Sequence, residues 1–457
     1  MRSVGIICEY NPFHNGHACQ LRLAREAMGE DCAVVCLMSG NYVQRGEPAI
    51  FPKQLRAEAA VLGGADLVLE LPLTAALSSA EGFADRGVAI LTDLGCEALC
   101  FGAETDDENL IMSTARANLD PAFDALLRAE MATGCSYPAA RQRALEKLQI
   151  PPVEPVGADA HIGPLSEKHQ PSVLSNPNDI LAVEYCKAIL RRHSPLRPLT
   201  IHRPGSYHAA VLDPDAPSAT ALRAALERES RDEHYASVIR NECDLSETNP
   251  ETDAAAADKQ CLSLQSPSDK TAWPSAVPSC LHELYVSAPI HSMAAGERAV
   301  LAILRTLPDA AFEQLPFGSE GLWSKLMKNC RSCASVEEIL EATKSKRYTR
   351  TRIQRMLLCA VLGLTASDLE RMPPYVRVLA FNDRGRAALR EMKARHNQDE
   401  APETKISLVN AGETPPDQTY YALESRAADL YSLFSASAPR PAAEEARLRI
   451  VYIPASP

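Results

Sequence analysis

Two histidines follow the first apolar segment of the chain, at a spacing that suits phosphate chemistry. Residues 4–8 are apolar and predict a buried strand, Asn11-Pro12 predicts a turn, and a helix is expected to begin near His17. Unpaired backbone N–H groups and the dipole at such a helix start favour a phosphate, and His14 and His17 can each donate a hydrogen bond to it. The pattern therefore predicts attack on the α-phosphorus of a nucleotide. The plainer alternative is a pair of partly exposed loop histidines.

The elements that must position these histidines follow a regular alternation. Apolar strand candidates lie at 4–8, 33–37, 66–71 and 98–101, and helix-like segments such as 18–27 and 54–62 lie between them. This alternation predicts βαβ units and an α/β fold with a doubly wound parallel sheet. Ligands of such sheets bind beyond the carboxyl ends of the strands. The loops that follow the first, second and fourth strands are therefore expected to face one crevice.

Later segments extend the chain beyond this unit. A helix is predicted over 180–190 and a strand over 199–202. Residues 218–220 are typical of a capped helix start, and Arg223 would lie in the first turn of that helix. From residue 281 onward the spacing of apolar residues is helical. We therefore predict a nucleotide-binding catalytic domain over 1–226, an acidic disordered insert or linker over 227–280, a mainly α-helical domain over 281–435 and a loose tail over 436–457.

Composition limits the class of protein. The chain has 457 residues and a formal net charge of −12 at pH 7, so a generally basic nucleic-acid binder is excluded and any RNA contact must come from a local patch. The sequence shows no signal peptide, and no apolar run approaches the roughly 20 residues that span a bilayer. We therefore expect a soluble cytoplasmic protein with no membrane partner. The C-x-x-C motif of Cys330 and Cys333 stands alone, and we predict no metal site.

Several sequence blocks occur in a fixed order along the chain. They are G-I-I-C-E-Y-N-P-F-H-N-G-H (5–17), M-S-G-N-Y-V-Q-R-G-E-P-A (38–49), D-L-V-L-E-L-P (66–72), L-C-F-G-A-E (99–104), P-N-D-I-L-A-V-E-Y (177–185), S-A-T-A-L-R (218–223), S-K-R-Y-T-R-T-R-I-Q-R (345–355) and V-L-A-F-N-D-R-G-R (378–386). With these blocks the chain resembles the bacterial tRNA(Met) cytidine acetate ligases, members of the nucleotidyltransferase superfamily with an HxGH motif. The resemblance implies a nucleotidyltransferase-like α/β domain followed by a helical domain.

The resemblance also implies a two-step reaction on ATP, acetate and elongator tRNA(Met). ATP and acetate would give acetyl-adenylate and pyrophosphate, and the N4 amine of the wobble cytidine would then take the acetyl group, which leaves N4-acetylcytidine and AMP. The strand–loop–helix pattern independently favours the first step, since it suits adenylylation. Mg²⁺ is expected with the triphosphate, although no carboxylate cluster in the sequence identifies its ligands. No obligate protein partner is indicated.

ATP-binding residues follow from the same resemblance. They are Ile7, Cys8, Glu9, Tyr10, Asn11, Pro12, Phe13, His14, Asn15, Gly16, His17, Ala18, Cys19, Gln20, Gly102, Asn178 and Arg203. Three of these positions have plainer alternatives. Gly102 is also consistent with an ordinary turn glycine, Asn178 with a helix N-cap, and Arg203 with a surface ion pair.

Three residues are assigned to the chemistry itself. We expect His14 and His17 to stabilise the charge that builds on the α-phosphate and on the leaving pyrophosphate. Arg223 lies in an element that looks like the family's second phosphate-binding motif. Its helix start would address the β- and γ-phosphates.

A basic tract in the helical part is the second nucleic-acid signal. Residues 344–355 hold six basic side chains and no acidic one, with Tyr348 available for stacking. Guanidinium and hydroxyl groups mixed in this way suit phosphate and sugar contacts. We predict tRNA contacts from Lys346, Arg347, Arg350 and Arg352. The alternative is a solvated helix face that packs through Ile353 and Met356, and Arg355 is open to a structural role.

Two other functions share parts of this pattern. A small-molecule adenylyltransferase would have every feature of the first domain, but it does not explain the helical domain or the basic tract. A non-catalytic RNA-binding module with a nucleotide pocket would have no physical need for both histidines. We therefore favour an ATP-dependent ligase that forms a C–N bond.

Overall fold

One large sheet with helices on both faces organises the chain. This is seen in a computed structural model, which describes residues 1–135, 137–148, 176–202, 218–229, 273–398, 406–435, 437 and 440–454. The strands are β1 (Ser3–Cys8), β2 (Ala33–Ser39), β3 (Tyr42–Val43), β4 (Glu47–Pro48), β5 (Leu67–Leu71), β6 (Ala98–Ala103), β7 (Arg197–His202), β8 (Tyr375–Phe381), β9 (Ser407–Asn410) and β10 (Val451–Tyr452). The helices are α1 (Asn15–Met28), α2 (Lys53–Leu62), α3 (Leu73–Ala76), α4 (Ala80–Asp93), α5 (Glu108–Ala117), α6 (Pro121–Ala132), α7 (Tyr137–Leu148), α8 (Pro177–Arg191), α9 (219–229), α10 (His282–Val286), α11 (Glu297–Thr306), α12 (Asp309–Glu313), α13 (Leu322–Ser332), α14 (Val336–Thr343), α15 (Arg350–Leu362), α16 (Ala366–Glu370), α17 (Asp383–Gln398), α18 (Gln418–Tyr431) and α19 (Glu444–Arg447).

The strand order places β1 inside the sheet. The order is β10-β8-β5-β2-β1-β6-β7, β9 also pairs with β8, and β3 and β4 form a separate hairpin. Within the large sheet the described pairs are parallel except β5 with β8. The carboxyl ends of β2, β1 and β6 therefore lie at one edge, where ligands of such sheets bind. The predicted α/β fold with a doubly wound parallel sheet is confirmed.

Burial on both faces of the sheet explains the continuous apolar runs of its strands. Ile7 and Leu37 pack on one face with residues of α4 and α8, whereas Ile6 and Cys36 pack on the other face with residues of α1 and α2. A strand buried on both faces shows no alternation of polar and apolar residues. Length and apolar content were therefore the signals by which these strands could be predicted.

Strands from the C-terminal part complete this sheet. Their contribution was not predicted from the sequence. β8 lies antiparallel beside β5, with Val68 opposite Ala380, and β9 and β10 pair with β8. The segment predicted as a helical domain over 281–435 thus contributes β8 and β9 to the sheet of the first domain. The structure also differs from the loose tail predicted over 436–457, because Glu445 is buried and Val451 pairs with Ala380.

A buried ion cluster joins these late strands to the first part of the chain. Lys53 Nζ donates to Glu70 Oε1 at 2.8 Å and also bonds Glu445. Arg377 Nε lies 3.2 Å from Glu445 Oε2, and Arg377 Nη2 lies 3.9 Å from Glu424 Oε2. Two cations therefore face three carboxylates in the interior, and the five residues come from α2, β5, β8, α18 and α19.

The helices of the C-terminal part build a third apolar core. Leu304, Leu326 and Leu358 lie in it, and Tyr42 of β3 and Leu73 of α3 join it. These helices match the helical spacing that was predicted for this part of the chain. The third core also shows that the helical layer packs on the β3–β4 hairpin, next to the carboxyl edge of the sheet.

Several predictions fall on residues that the structure does not describe. Arg203 is one of them, and the insert over 227–280 is described only at its ends, where residues 227–229 continue α9 and Trp273 is buried. Within the described ranges, no helix combines the length and apolar character needed to cross a membrane.

Candidate active site

The turn after β1 brings the histidine pair to the start of α1. The Asn11-Pro12 peptide is cis, and Asn11 Oδ1 accepts from the Ile50 N–H at 2.8 Å. This bond ties the turn to the chain that follows the β3–β4 hairpin. Helix α1 begins at Asn15 with His14 as its N-cap. The predicted helix start near His17 is therefore too late, because the His14 side chain caps the preceding turn.

Both imidazoles are fixed by hydrogen bonds of the first helical turn. His14 Nδ1 accepts from the Gly16 N–H at 3.1 Å, and His17 Nδ1 accepts from the His14 N–H at 3.3 Å. The rings stack with 3.7 Å between their centroids, and His14 is only 2% exposed. A neutral imidazole whose Nδ1 accepts carries its proton on Nε2. Each ring can therefore offer an Nε2–H donor to an anion, and the burial of His14 does not fit a loop histidine.

Arg223 reaches the same turn from α9. Its Nη1 donates to Asn11 O at 2.7 Å, and its Nη2 donates to Thr220 Oγ1 at 3.3 Å. Ser218 Oγ accepts from the Ala221 N–H at 3.1 Å, so the predicted cap of this helix is present. The structure thus brings Arg223 to the turn that carries the two histidines.

Glu9, at the end of β1, lies among positive charges. Its Oε1 accepts from the Gln44 N–H at 2.7 Å. Burial raises the pKa of Glu9, and the Gln44 hydrogen bond opposes that rise. Three guanidinium groups oppose it further, those of Arg45, Arg223 and Arg56. Three such groups around one carboxylate leave an excess of positive charge, which suits an anionic ligand.

Sequence reasoning missed Arg56, which holds this edge of the sheet together. The residue is fully buried on α2. It donates to the carbonyl oxygens of Phe51, Glu9 and Ser39 at 3.0, 2.5 and 3.1 Å. Burial lowers the pKa of Arg56. An arginine among alanines on a helix is usually a surface residue, so no signal in the sequence pointed to this role.

The predicted ATP contacts Gly102 and Asn178 lie near the end of β6. Gly102 is a residue of β6 that pairs with β7. Asn178 Nδ2 donates to Glu104 Oε1 at 2.7 Å, immediately beyond that strand. The N-cap of α8 is Asn176, so the alternative role of Asn178 as the N-cap is wrong. The third predicted contact, Arg203, lies outside the described residues.

Asp179 fixes the loop after β6 from the interior. It is fully buried, and its Oδ1 accepts from the N–H groups of Glu104 and Thr105, each at 2.9 Å. The Thr105 hydroxyl donates to Asp179 Oδ2 at 2.8 Å. In return, Glu104 Oε2 accepts from the Asp179 N–H at 3.0 Å. This reciprocal bonding holds the β6 loop against α8, where Asn178 lies.

The predicted tRNA contacts surround the start of α15. Lys346 is exposed. Arg347 Nη2 donates to Glu320 Oε1 at 2.6 Å, and the Tyr348 hydroxyl donates to Glu320 Oε2 at 2.6 Å. Because exposed ion pairs are weak, phosphates of an RNA can compete for Arg347.

The two predicted tRNA contacts that lie within α15 are more firmly held. Arg350 Nη1 lies 2.8 Å from Glu341 Oε1, and Arg352 Nη2 donates to Phe317 O at 2.8 Å. The Arg352 guanidinium also stacks on Tyr348, 5.0 Å from the ring centroid. Acidic residues elsewhere in the chain therefore neutralise part of the basic tract, which the local sequence could not show.

Helix α15 docks directly on the β3–β4 hairpin. Gln354 Nε2 donates to Glu47 Oε1 at 3.0 Å, and Arg355 Nη1 donates to Gln44 O at 3.3 Å. At Gly46 an added Cβ would lie 2.4 Å from Arg355 N. The basic tract thus contacts the β3–β4 turn through the side chains of Gln354 and Arg355 and approaches it closely at Gly46.

This combination of a parallel sheet and an imidazole pair at the first helix start defines a nucleotidyl transferase of the HIGH class. The family description "HIGH Nucleotidyl Transferase" matches residues 1–446. Among curated relatives, the tRNA(Met) cytidine acetate ligase of Clostridium perfringens is 33% identical over 446 residues and 96% of each chain. That of Kosmotoga olearia is 31% identical over 477 residues, which cover 99% of this chain and 100% of the relative.

Solved structures agree with this assignment. The crystal structure of apo Thermotoga maritima TmcAL has a TM-score of 0.76 and 26% identity, and the match covers 99% of this chain and 100% of that one. The same protein bound with alpha-thio ATP has a TM-score of 0.74. The chain belongs to the tRNA(Met) cytidine acetate ligase family. The resemblance inferred from the sequence blocks is confirmed.

Proposed function

We propose that this ATP-dependent ligase activates acetate as acetyl-adenylate and transfers the acetyl group to N4 of the wobble cytidine of elongator tRNA(Met). The observation that carries the proposal is the stacked pair of His14 and His17 at the start of α1, with Arg223 bonded to the same turn. The relatives are named for tRNA(Met), cytidine and acetate, and a similar structure is bound with alpha-thio ATP. A tRNA substrate would place the reaction in the cytoplasm.

In the first step, a carboxylate oxygen of acetate attacks the α-phosphorus of ATP. The new O–P bond forms as the bond to the bridging oxygen breaks, and pyrophosphate leaves with the electron pair. Negative charge builds on the α-phosphate and on pyrophosphate. The Nε2–H groups of His14 and His17 would donate to these oxygens, and Arg223 would hold the β- and γ-phosphates.

In the second step, the N4 amine of cytidine attacks the acetyl carbon. The bond from that carbon to AMP breaks, AMP leaves, and the amine loses a proton. Residues 1–226 would hold the adenylate, and the basic tract in residues 281–435 would bind tRNA phosphates through Lys346, Arg347, Arg350 and Arg352. The contact of α15 with the β3–β4 hairpin supports this arrangement, since it joins the two regions directly.

Mg²⁺ would accompany the triphosphate. Among the residues described, no three histidine, cysteine, aspartate or glutamate side chains converge into a group that could hold a metal ion. Magnesium keeps several waters and commonly takes ligands from substrate phosphates. The phosphate oxygens would therefore supply the main ligands of the ion, and the steps proposed above depend only on residues of the chain.

Transfer of radiolabelled acetate to purified tRNA tests the proposal. Wild type should label the wobble cytidine of elongator tRNA(Met) only when ATP is present, and His14→Ala should abolish the labelling. Arg22→Ala is a matched control on the same helix, because Arg22 is exposed and, among the described residues, bonds its α1 neighbours Glu26 and Cys19. That variant should label tRNA as wild type does.

Two results would contradict the proposal in different ways. Formation of acetyl-adenylate without labelled tRNA would favour the small-molecule adenylyltransferase. If no carboxylic acid supported ATP turnover, the protein would instead be a nucleotide-binding RNA module.

A further inference from the structure

Two buried polar atoms near Glu9 lack a hydrogen-bond partner among the described residues. They are Ser39 Oγ and Gln44 Nε2. A buried donor left unsatisfied costs on the order of 1–3 kcal/mol, and such groups are rare in native interiors. Unsatisfied donors at the ligand edge of a parallel sheet indicate that a ligand completes them.

The fold places both residues beside Glu9. Ser39 is the last residue of β2, and the register pairs Met38 with Cys8, so Ser39 lies alongside Glu9. Gln44 lies in the turn between β3 and β4, and its backbone N–H donates to Glu9 Oε1 at 2.7 Å. The two unpartnered donors therefore lie near the segment predicted to bind ATP.

The other atoms of this kind in the described ranges have separate explanations. Most belong to ion pairs or to guanidinium groups that bond through their remaining nitrogens, and these residues are Arg86, Arg141, Arg355, Arg377 and Glu445. Thr200 Oγ1 lies on β7, an edge strand of the large sheet. Among the described residues, Ser39 Oγ and Gln44 Nε2 are the two unpartnered neutral donors that lie at the end of β2 and in the turn of the β3–β4 hairpin.

We infer that Ser39 and Gln44 form the carboxylate subsite of the enzyme, in which a short-chain carboxylate such as acetate is held for attack on the α-phosphorus. The inference rests on the proposed function and adds the place where the acid binds. A hydroxyl and an amide N–H both suit carboxylate oxygens. Because these donors are neutral, they orient the anion without forming an ion pair that would weaken it as a nucleophile. The positive charges of Arg45 and Arg223 near Glu9 offset the negative charge that acetate brings.

The backbone of Gln44 is anchored from two sides, which fixes the point from which its side-chain amide extends. Its N–H donates to Glu9, and its carbonyl accepts from Arg355 Nη1 at 3.3 Å. Arg355 is itself held against Phe317, 5.1 Å from the ring centroid. Anchoring of this kind preorganises a binding group before the substrate arrives.

Acetate-dependent exchange of pyrophosphate into ATP tests the subsite without tRNA. Gln44→Leu and Ser39→Ala should each raise the KM for acetate about tenfold or more, as expected for a lost hydrogen bond to a charged group. Gln44→Glu keeps the shape of the side chain but adds a negative charge, so the KM for acetate should rise further. In all three variants the KM for ATP should change less than twofold.

Gln54→Leu is the matched control. Its amide donates to Arg449 O at 2.7 Å on the outer side of α2, so both KM values should stay as in wild type. Thermal denaturation shows whether each variant is folded, and Ser39→Ala, which removes a single oxygen, provides a test if Gln44→Leu is unstable.

Three outcomes would overturn the inference. One is an unchanged KM for acetate in the Gln44 and Ser39 variants. Another is a KM for ATP that rises as much as that for acetate, because the residues would then support the nucleotide or the loop as a whole. The third is a wild-type protein that shows no acetate-dependent exchange, which would also refute the proposed function, whereas the first two outcomes would leave that function intact.

Discussion

His14 caps α1 through Nδ1, and in the proposed reaction it donates from Nε2. Serine is a good N-cap but cannot replace the Nε2 donor. We therefore expect His14→Ser and His14→Ala both to slow acetate-dependent pyrophosphate exchange by about 100-fold or more. His14→Ala should also lower the free energy of unfolding by about 1 kcal/mol relative to His14→Ser. Exchange rates and denaturant unfolding curves check both statements, and an active His14→Ser enzyme would refute the catalytic role.

Glu320 restrains the basic tract, because one carboxylate binds both Arg347 and Tyr348. Glu320→Gln should free the guanidinium and tighten tRNA binding up to about fivefold at low salt, since exposed ion pairs are worth at most about 1 kcal/mol. Binding should also become more dependent on salt concentration, because one more cation is available to phosphate. Filter binding over a range of salt concentrations measures both effects.

Glu313→Gln is the control for this experiment. It removes the same charge from an exposed position on α12, so any effect of net charge alone appears there as well. Equal changes in the two variants would show that Arg347 does not contact tRNA.

Local patterns revealed some of the candidate site and missed the rest. His14, His17 and Arg223 could be predicted because each stands at a helix start that the sequence signals. Arg56 and Gln44 could not, since their surroundings depend on how α2 packs beside the end of β1 and how α15 packs on the β3–β4 hairpin. That packing joins residues far apart in the sequence.

The β3–β4 hairpin depends on a glycine at its turn. Gly46 has φ 81°, and an added Cβ would lie 2.4 Å from Arg355 N. Gly134 offers a matched control, because its φ is 83° and its Cβ position is open. Gly134→Ala should cost about 1–2 kcal/mol for the left-handed backbone alone, and Gly46→Ala should cost clearly more because a backbone atom must move.

Thermal denaturation of the two glycine variants gives the comparison. If the proposed carboxylate subsite is correct, Gly46→Ala should also raise the KM for acetate, because Gln44 lies in the same turn, two residues before Gly46. Equal melting temperatures for the two variants would show that α15 yields easily at this contact.

Strands were predicted well where they are apolar and alternate with helices, as for β1, β2, β5 and β6. β8 escaped prediction because its segment over 375–381, apolar except for Arg377, is equally compatible with a buried helix, and periodicity alone does not separate the two. β9 and β10 are short, and they are defined by pairing with β8. Their place in the sheet is a property of long-range contacts.

The buried ion cluster predicts how stability depends on pH. Burial, together with the neighbouring Glu70 and Glu445, raises the pKa of Glu424 to about 7, although Lys53 and Arg377 oppose the rise. An unfolded glutamate has a pKa of about 4.3, so the folded protein binds more protons between that pH and 7. Stability should therefore fall as pH rises through this window, by roughly 4 kcal/mol at most.

Glu424→Gln removes the ionisation and keeps the shape of the side chain. The difference in unfolding free energy between this variant and wild type should be smallest near pH 4 and should favour the variant increasingly toward pH 8. Denaturant unfolding at several pH values measures that difference, and Glu444→Gln, at a less buried position nearby, provides the control. A difference that does not vary with pH would show that Glu424 stays ionised.

The late strands and the ion cluster have a consequence for how the chain is made. Lys53 and Glu70 emerge early from the ribosome, yet their partners Arg377 and Glu445 are added several hundred residues later, as is β8, which covers the edge of β5. Until then the edge of β5 is uncovered and the Lys53–Glu70 pair lacks its later partners, so the first part of the chain must wait for residues near its end to complete the sheet and the ion cluster. A chain that stops before β8 is therefore expected to leave both this sheet and this ion cluster incomplete.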